Sequence, residues 1–339
     1  MPRWLHVLSA VVVAIGTAMS AIWILSANSW MHTPAGHEMR DGVAFPVDWW
    51  AIVFNPSFPY RIAYMLNASY RTAGFVVLAV SCRYLLKGDH VEEARIILHM
   101  AIGLLVVLAP LQILIGDLHG LNTLKHQPTK VAAMEAHWDS SKPDDFHIFA
   151  CPDAKAEKNH FEISIPHGLS LILTHQWNGP IPGLKDVPPN DRPPLVTVFF
   201  AFRIMIAIGF FMASAAVFGA FLWWRGKLFE TRWYLLVMAQ TWWMGFIAVI
   251  AGWVVTESGR QPWLVQGILR TADATSPVIG PAIAVIFALF VVVYSIVFSA
   301  GIYFINRLIV KGLDAAAADE PAILLGGTLA AAGKTTKGA

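Results

Sequence analysis

The chain has 339 residues, of which 56% are hydrophobic and only 14% charged, with a mean hydropathy of +0.57. A soluble domain of this length carries about a quarter charged residues, so the composition excludes one and marks an integral membrane protein. A formal net charge of +2 with no basic run likewise excludes a nucleic-acid-binding surface.

Six apolar runs reach the roughly 20 residues that a spanning helix needs: 5–28, 60–86, 95–116, 195–224, 233–256 and 277–306. Lipid leaves an isolated segment no other way to satisfy its backbone. The expected fold is therefore all-α, a polytopic transmembrane helical bundle of six spans. Lys and Arg in the connections set its orientation. Arg3 precedes the first run. Arg83, Lys87 and Arg95 lie between the second and third, Arg225, Lys227 and Arg232 between the fourth and fifth, and Arg307 and Lys311 follow the sixth. The alternate connections hold Arg40 in one case and Arg260 with Arg270 in the other, the long segment being left out of the count. Both termini are expected in the cytoplasm. The chain then divides into 1–116 with three helices, 117–193 as a long extracytoplasmic loop, 194–311 with three more helices, and 312–339 as a tail without chemistry. A signal peptide is the rival reading of residues 1–28, although the apolar run is long for one. Cys82 and Cys151 show no metal-binding spacing, fall on opposite sides of the membrane and are not expected to pair.

In chain order, Asn28, Ser29 and Trp30 close the first run and read as interfacial anchors. Tyr64 stands near the start of the second run. Arg71, half-way along it, is a cation at membrane depth that either pairs with an anion or snorkels. In the long segment, Lys130 and Glu135 are either solvated charges on a short amphipathic helix or parts of a site. His119, His126 and His137 are spaced too irregularly for zinc. Arg203 and Met205 are two apart, about 200° around a helix, so their side chains leave by different faces. Glu257 ends the fifth run. A carboxylate at that depth costs about 2.5–3.5 kcal/mol on insertion scales, so it either marks the water interface or has a cation, a proton path or a metal as partner. Trp253, four residues earlier, shares its face. Arg260 and Gln261 follow at the outer interface, and Pro262 ends the helix.

The segment Glu257-Ser258-Gly259-Arg260-Gln261-Pro262 resembles the signature of subunit I of the cytochrome bd quinol oxidases, which oxidise quinol and reduce dioxygen to water. Leu25 to Met31, Gln127 to Trp138 and Phe200 to Met205 resemble further segments of the short quinol-loop type, in the family's order. The resemblance implies a haem-containing membrane enzyme with a low-spin haem b, a high-spin haem b, and a haem d or third haem b at the oxygen site. Quinol and dioxygen are the implied substrates, a second membrane subunit is the implied partner, and the bacterial inner membrane is the implied location.

By this resemblance Glu257 is an axial ligand of the high-spin haem iron and Met205 of the low-spin one. Arg203 holds or offsets a haem propionate, Trp253 packs beside the high-spin haem, and Arg260 and Gln261 close the haem and quinol region from water. Lys130 orients the quinol and Glu135 accepts a proton from it as general base. One position departs from the pattern. Tyr64 stands where the family has the second low-spin ligand, a His, so three outcomes are open: the haem is lost, it is five-coordinate, or another group substitutes. His119 is on the right side for that role and His99 is at the other end of its helix. Met1 to His6 resembles a loop inside family members, which implies about three upstream helices, with the remaining haem-ligating His and the proton-path acids. Two alternatives stay open. One is a divergent or truncated relative that binds quinol and part of the haem set without reducing oxygen. The other is a haem-free transporter or assembly protein.

Overall fold

The computed structural model describes residues 2–140, 145–274, 278 and 280–312. The first helix, α1, runs Arg3–His32. A small antiparallel hairpin follows, β1 His37–Arg40 and β2 Val43–Pro46. The short α2, Trp49–Val53, begins at Asp48, whose carboxylate accepts from the backbone N–H groups of Trp50 and Ala51 and so satisfies two otherwise orphaned donors. Then come α3, Phe58–Lys87, and α4, Val91–His126. Pro128 opens α5, Pro128–Glu135, where the N–H it lacks would be unpaired anyway. A second hairpin, β3 Phe146–Asp153 and β4 Lys158–Ile165, precedes α6, Gly168–Thr174. The chain re-enters long helices with α7, Leu195–Trp224.

The fifth apolar run is not one helix. It consists of α8, Arg232–Met238, a short 3-10 turn at Thr241–Trp243, and α9, Met244–Ser258. The break lies where α9 meets α3. A Cβ on Gly245 would come within 2.6 Å of the Thr72 hydroxyl oxygen and 2.9 Å of the Thr72 Cα, so only glycine permits this approach. After α9 a third hairpin forms from β5, Trp263–Val265, and β6, Leu269–Arg270.

The core lies where α3, α4, α7 and α8 meet. Phe75 and Leu78 of α3 pack against Leu98, Ile102 and Leu105 of α4 and against Tyr234 of α8. Tyr234 donates its hydroxyl to the Ala215 carbonyl of α7 at 3.1 Å, which gives its polar end a partner inside an apolar cluster. A second cluster, including Ala132, Ala133, Leu195, Val198 and Phe199, seats α5 on α7. α10, Gly280–Lys311, belongs to a separate compact unit together with residues 88–92. Apolar side chains such as Phe287, Val291 and Phe298 are exposed along it, as expected of a helix whose solvent is lipid.

The fold is helical, as expected, with three two-stranded hairpins in its connections. Five helical segments among the described residues are long and apolar enough to cross a membrane. α3 is as long as α1 but is not one of them, because it carries Arg61, Asn67 and Arg71, all turned inward. The boundary expected at 116 also shifts, since α4 continues to His126. Cys82 and Cys151 are both free. The tail from 313 onward lies outside the described residues.

Candidate functional site

Two adjoining regions gather most of the residues singled out from the sequence. The first is a cavity of about 100 Å³ walled by α3, α4, α7 and α9. Tyr64, Arg71, His119, Met205, Gly252 and Trp253 line it. The Tyr64 hydroxyl points at the Met205 sulfur, 3.8 Å away. The His119 ring lies 5.6 Å from the Tyr64 ring, centroid to centroid. A Cβ on Gly252 would stand 3.0 Å from Met205 Sδ, so the bare backbone of α9 is what leaves the thioether its place. Arg71 donates to the Gly209 carbonyl at 3.3 Å. Its Nε, like that of Arg61, is buried with no partner among the described residues.

These features fit a haem. The thioether offers a soft axial donor, the walls are apolar, and two buried guanidinium groups have donors to spare for propionates. His99 is not part of this region. It stacks on Trp223 at 4.5 Å, more than three turns along α4 from Gln112, the nearest residue of that helix in the cavity wall.

The second region lies above the cavity, where α1, α3, α5 and the end of α9 converge. Glu257 accepts from Asn28 Nδ2 at 2.9 Å and from Arg260 at 2.6 Å. Asn28 Oδ1 in turn accepts from Arg61 at 2.8 Å. The Glu257 side chain keeps 38% of its surface exposed. Lys130 and Glu135 are both buried, so they are not solvated charges on a surface helix. Five positions apart, they leave α5 in different directions. Lys130 Nζ donates to Gln127 Oε1 at 2.8 Å and lies 3.0 Å from His32 Nδ1. Burial pushes the Lys130 ammonium well below the ordinary lysine range, with the like charges of Arg61 and Arg260 adding to the effect and Glu257 opposing it.

Glu135 instead forms an ion pair with Arg203 at 2.6 Å. The Arg203 guanidinium is sandwiched between Phe146 and Phe199, 4.7 Å from each ring centroid. Arg203 and Met205 do leave α7 by different faces. The anion that Arg203 meets is Glu135, while Arg71 and Arg61 are the guanidinium groups at the cavity. Trp253 lines the cavity with Met205, and Thr256, not Glu257, continues that wall. Gln261 accepts from the Thr271 hydroxyl at 2.7 Å and steadies the turn after α9.

Asn28 is more than an interfacial anchor, because it holds Glu257 and Arg61 together. His32 and Arg61 were not distinguished in the sequence. The available signal was spacing: Asn28 and His32 are four apart, so one face of α1 presents both to the same place.

The family model for cytochrome bd terminal oxidase subunit I matches residues 1–313. The cytochrome bd ubiquinol oxidase subunit 1 of Bacillus subtilis is 34% identical over 332 residues, covering 93% of this chain and 69% of that protein. The cytochrome bd-II ubiquinol oxidase subunit 1 of Escherichia coli is 27% identical, covering 94% of this chain and 75% of that protein. Among solved structures, the bd oxidase from Geobacillus thermodenitrificans superposes with a TM-score of 0.79 at 29% identity, over 92% of this chain and 72% of that one.

Proposed function

We propose residue roles for a chain that belongs to the cytochrome bd terminal oxidase subunit I family. It is a haem-containing subunit of a membrane quinol:oxygen oxidoreductase. The observation that carries the residue assignment is the cavity in which Met205 Sδ faces Tyr64 between two buried arginines, directly beside the polar cluster that joins Glu257 to Lys130. Bound haem supplies one-electron transfer and, at an iron with an open position, oxygen reduction.

In this assignment Met205 would hold the iron of a low-spin haem b through its thioether, and Arg71 and Arg61 would meet the acidic groups of that haem. Tyr64 lines the same cavity facing the Met205 sulfur, with His119 beside it. Glu257 ligates a high-spin haem b, held in orientation by Asn28 and Arg260, since ligating carboxylates are commonly fixed by such outer contacts. Lys130 donates to a quinol oxygen and stabilises the negative charge that develops on it. Glu135, paired with Arg203 at 2.6 Å, is the proton acceptor. A third haem, of type d or b, and a second membrane subunit complete the enzyme. We read α3 as a sixth span, both termini as cytoplasmic, the segment between α4 and α7 as the extracytoplasmic quinol loop, and the bacterial inner membrane as the location.

The test is a reduced-minus-oxidised spectrum of membranes carrying the assembled oxidase with Met205→Ala or Glu257→Ala. The first variant is expected to lose the low-spin b band and the second the high-spin b features. Spectra indistinguishable from the parent would remove the assignment.

A further inference from the structure

The buried His32 has no role in the assignment above, yet it lies between the two groups that matter most to it. It is 1% exposed, and its ring nitrogens face opposite ways. Nδ1 lies 3.0 Å from Lys130 Nζ and 3.3 Å from Gln127 Oε1. Nε2 lies 4.0 Å from Glu257 Oε1, is buried, and has no hydrogen-bond partner among the described residues.

We take the tautomer in which Lys130 donates to the ring. Whether ammonium or free amine, Lys130 Nζ carries at least two N–H groups. One N–H is directed at Gln127 Oε1 and a second at His32 Nδ1. A proton on Nδ1 would oppose that second N–H at 3.0 Å, so Nδ1 accepts and Nε2 carries the hydrogen. The Nε2–H is then a buried donor whose nearest anion is the Glu257 carboxylate. An unsatisfied buried donor is uncommon and needs a reason. A shift of the carboxylate toward the ring by a little more than an ångström would complete a charge-assisted hydrogen bond of about 2.7–2.9 Å.

We infer that His32 is a positioning residue that links the quinol-side Lys130 to Glu257, so that the state of Lys130 is felt at the haem Glu257 ligates. The inference rests on the proposed roles of those two residues. When Lys130 turns an N–H toward a quinol oxygen, its hold on Nδ1 slackens. The ring is then free to reorient, and the donor offered to Glu257 weakens. A carboxylate offered a weaker hydrogen-bond donor is a stronger donor to iron, so the haem equilibrium would shift with occupancy of the quinol site. Gln127, Gln266 and Asn28 surround this path but do not span it. Gln127 reaches Gln266 at 3.2 Å, and Asn28 reaches Glu257 but not Lys130.

The experiment is a double-mutant cycle in the assembled oxidase, read as the reduction midpoint of the high-spin haem b. Lys130→Met is expected to shift that midpoint. In a His32→Ala background the same substitution should change the reduction equilibrium by a factor at least about twofold smaller, beyond the additivity expected of uncoupled sites. His32→Gln, which keeps a donor and an acceptor, should retain part of the coupling. If His32→Ala fails to assemble, His32→Asn, which is too short to span both partners, serves in its place. Equal shifts with and without His32 overturn the inference. Retention of the high-spin b spectrum by Glu257→Ala would instead overturn the ligand assignment beneath it, so the two failures are distinguishable.

Discussion

In the proposed assignment Tyr64 is the residue on which electron entry turns, because its hydroxyl faces Met205 Sδ across 3.8 Å. A phenolate is a hard anionic donor that favours ferric iron, whereas an imidazole opposite a thioether gives the pairing of high-potential cytochromes. Tyr64→His is therefore expected to raise the midpoint potential of the low-spin haem and sharpen its reduced band in a potentiometric titration. No change in either would mean that Tyr64 does not face the iron. Lys130 carries a second expectation. Its ammonium titrates below the ordinary lysine range in the folded protein, chiefly because it is buried. Between that lowered value and about 10.4 the unfolded chain holds more protons than the folded one, so stability rises with pH across the window. The slope contributed by one such proton is at most about 1.4 kcal/mol per pH unit. Lys130→Met should flatten that part of the profile of unfolding midpoint against pH, and an unchanged slope would show that Lys130 is not the group responsible.

At the level of elements, the site depends on how closely α9 lies against α3 and α7, and glycines set that distance. Gly245→Ala would place a methyl group inside contact with both the hydroxyl and the Cα of Thr72. Because backbone on α3 cannot yield as a side chain would, the helices must separate, at a cost of about 1–3 kcal/mol. Lower thermal stability of the purified oxidase together with a weaker low-spin band is the expected outcome, since α3 and α9 carry Tyr64 and Trp253 on opposite walls of the cavity. Full stability with an intact band would refute the close-approach argument. The helices themselves were legible in the sequence because apolar length alone dictates them in lipid. The break between α8 and α9 was not. Nothing in Gln240 or Thr241 stops a helix as Pro would, and the close approach beside the break is to Thr72, far away in the chain. The site was legible in the same uneven way. Met205, Glu257 and Lys130 stood out through local motifs, while Asn28 meets Glu257 across 229 positions, a pairing that no local pattern encodes.

Across the whole molecule, the distribution of charge can be compared with the positions of the helix ends. Arg95, at the start of α4, lies over the Phe229 ring at 5.1 Å, and His99 stacks on Trp223. The connection between α3 and α4 and that between α7 and α8 therefore share one end of the bundle. Those connections hold Arg83, Lys87, Arg95, Arg225, Lys227 and Arg232. From His99 to His119 the helix rises about 30 Å, the thickness of the hydrocarbon layer, and brings His119 beside Tyr64. The basic end and the quinol-side end are thus separated by about one membrane. Positive charge is retained on the cytoplasmic side, so the Lys130 cluster is expected outside. With Cys151 replaced by Ser, Lys155→Cys on the β3–β4 turn should react with a membrane-impermeant maleimide in cells with a permeabilised outer envelope and an intact inner membrane. Glu230→Cys, on the exposed turn before α8, should react only after the inner membrane is opened. The reverse pattern would invert the orientation. It would also require protons from quinol to be released on the cytoplasmic side, which would remove any contribution of quinol oxidation to charging the membrane.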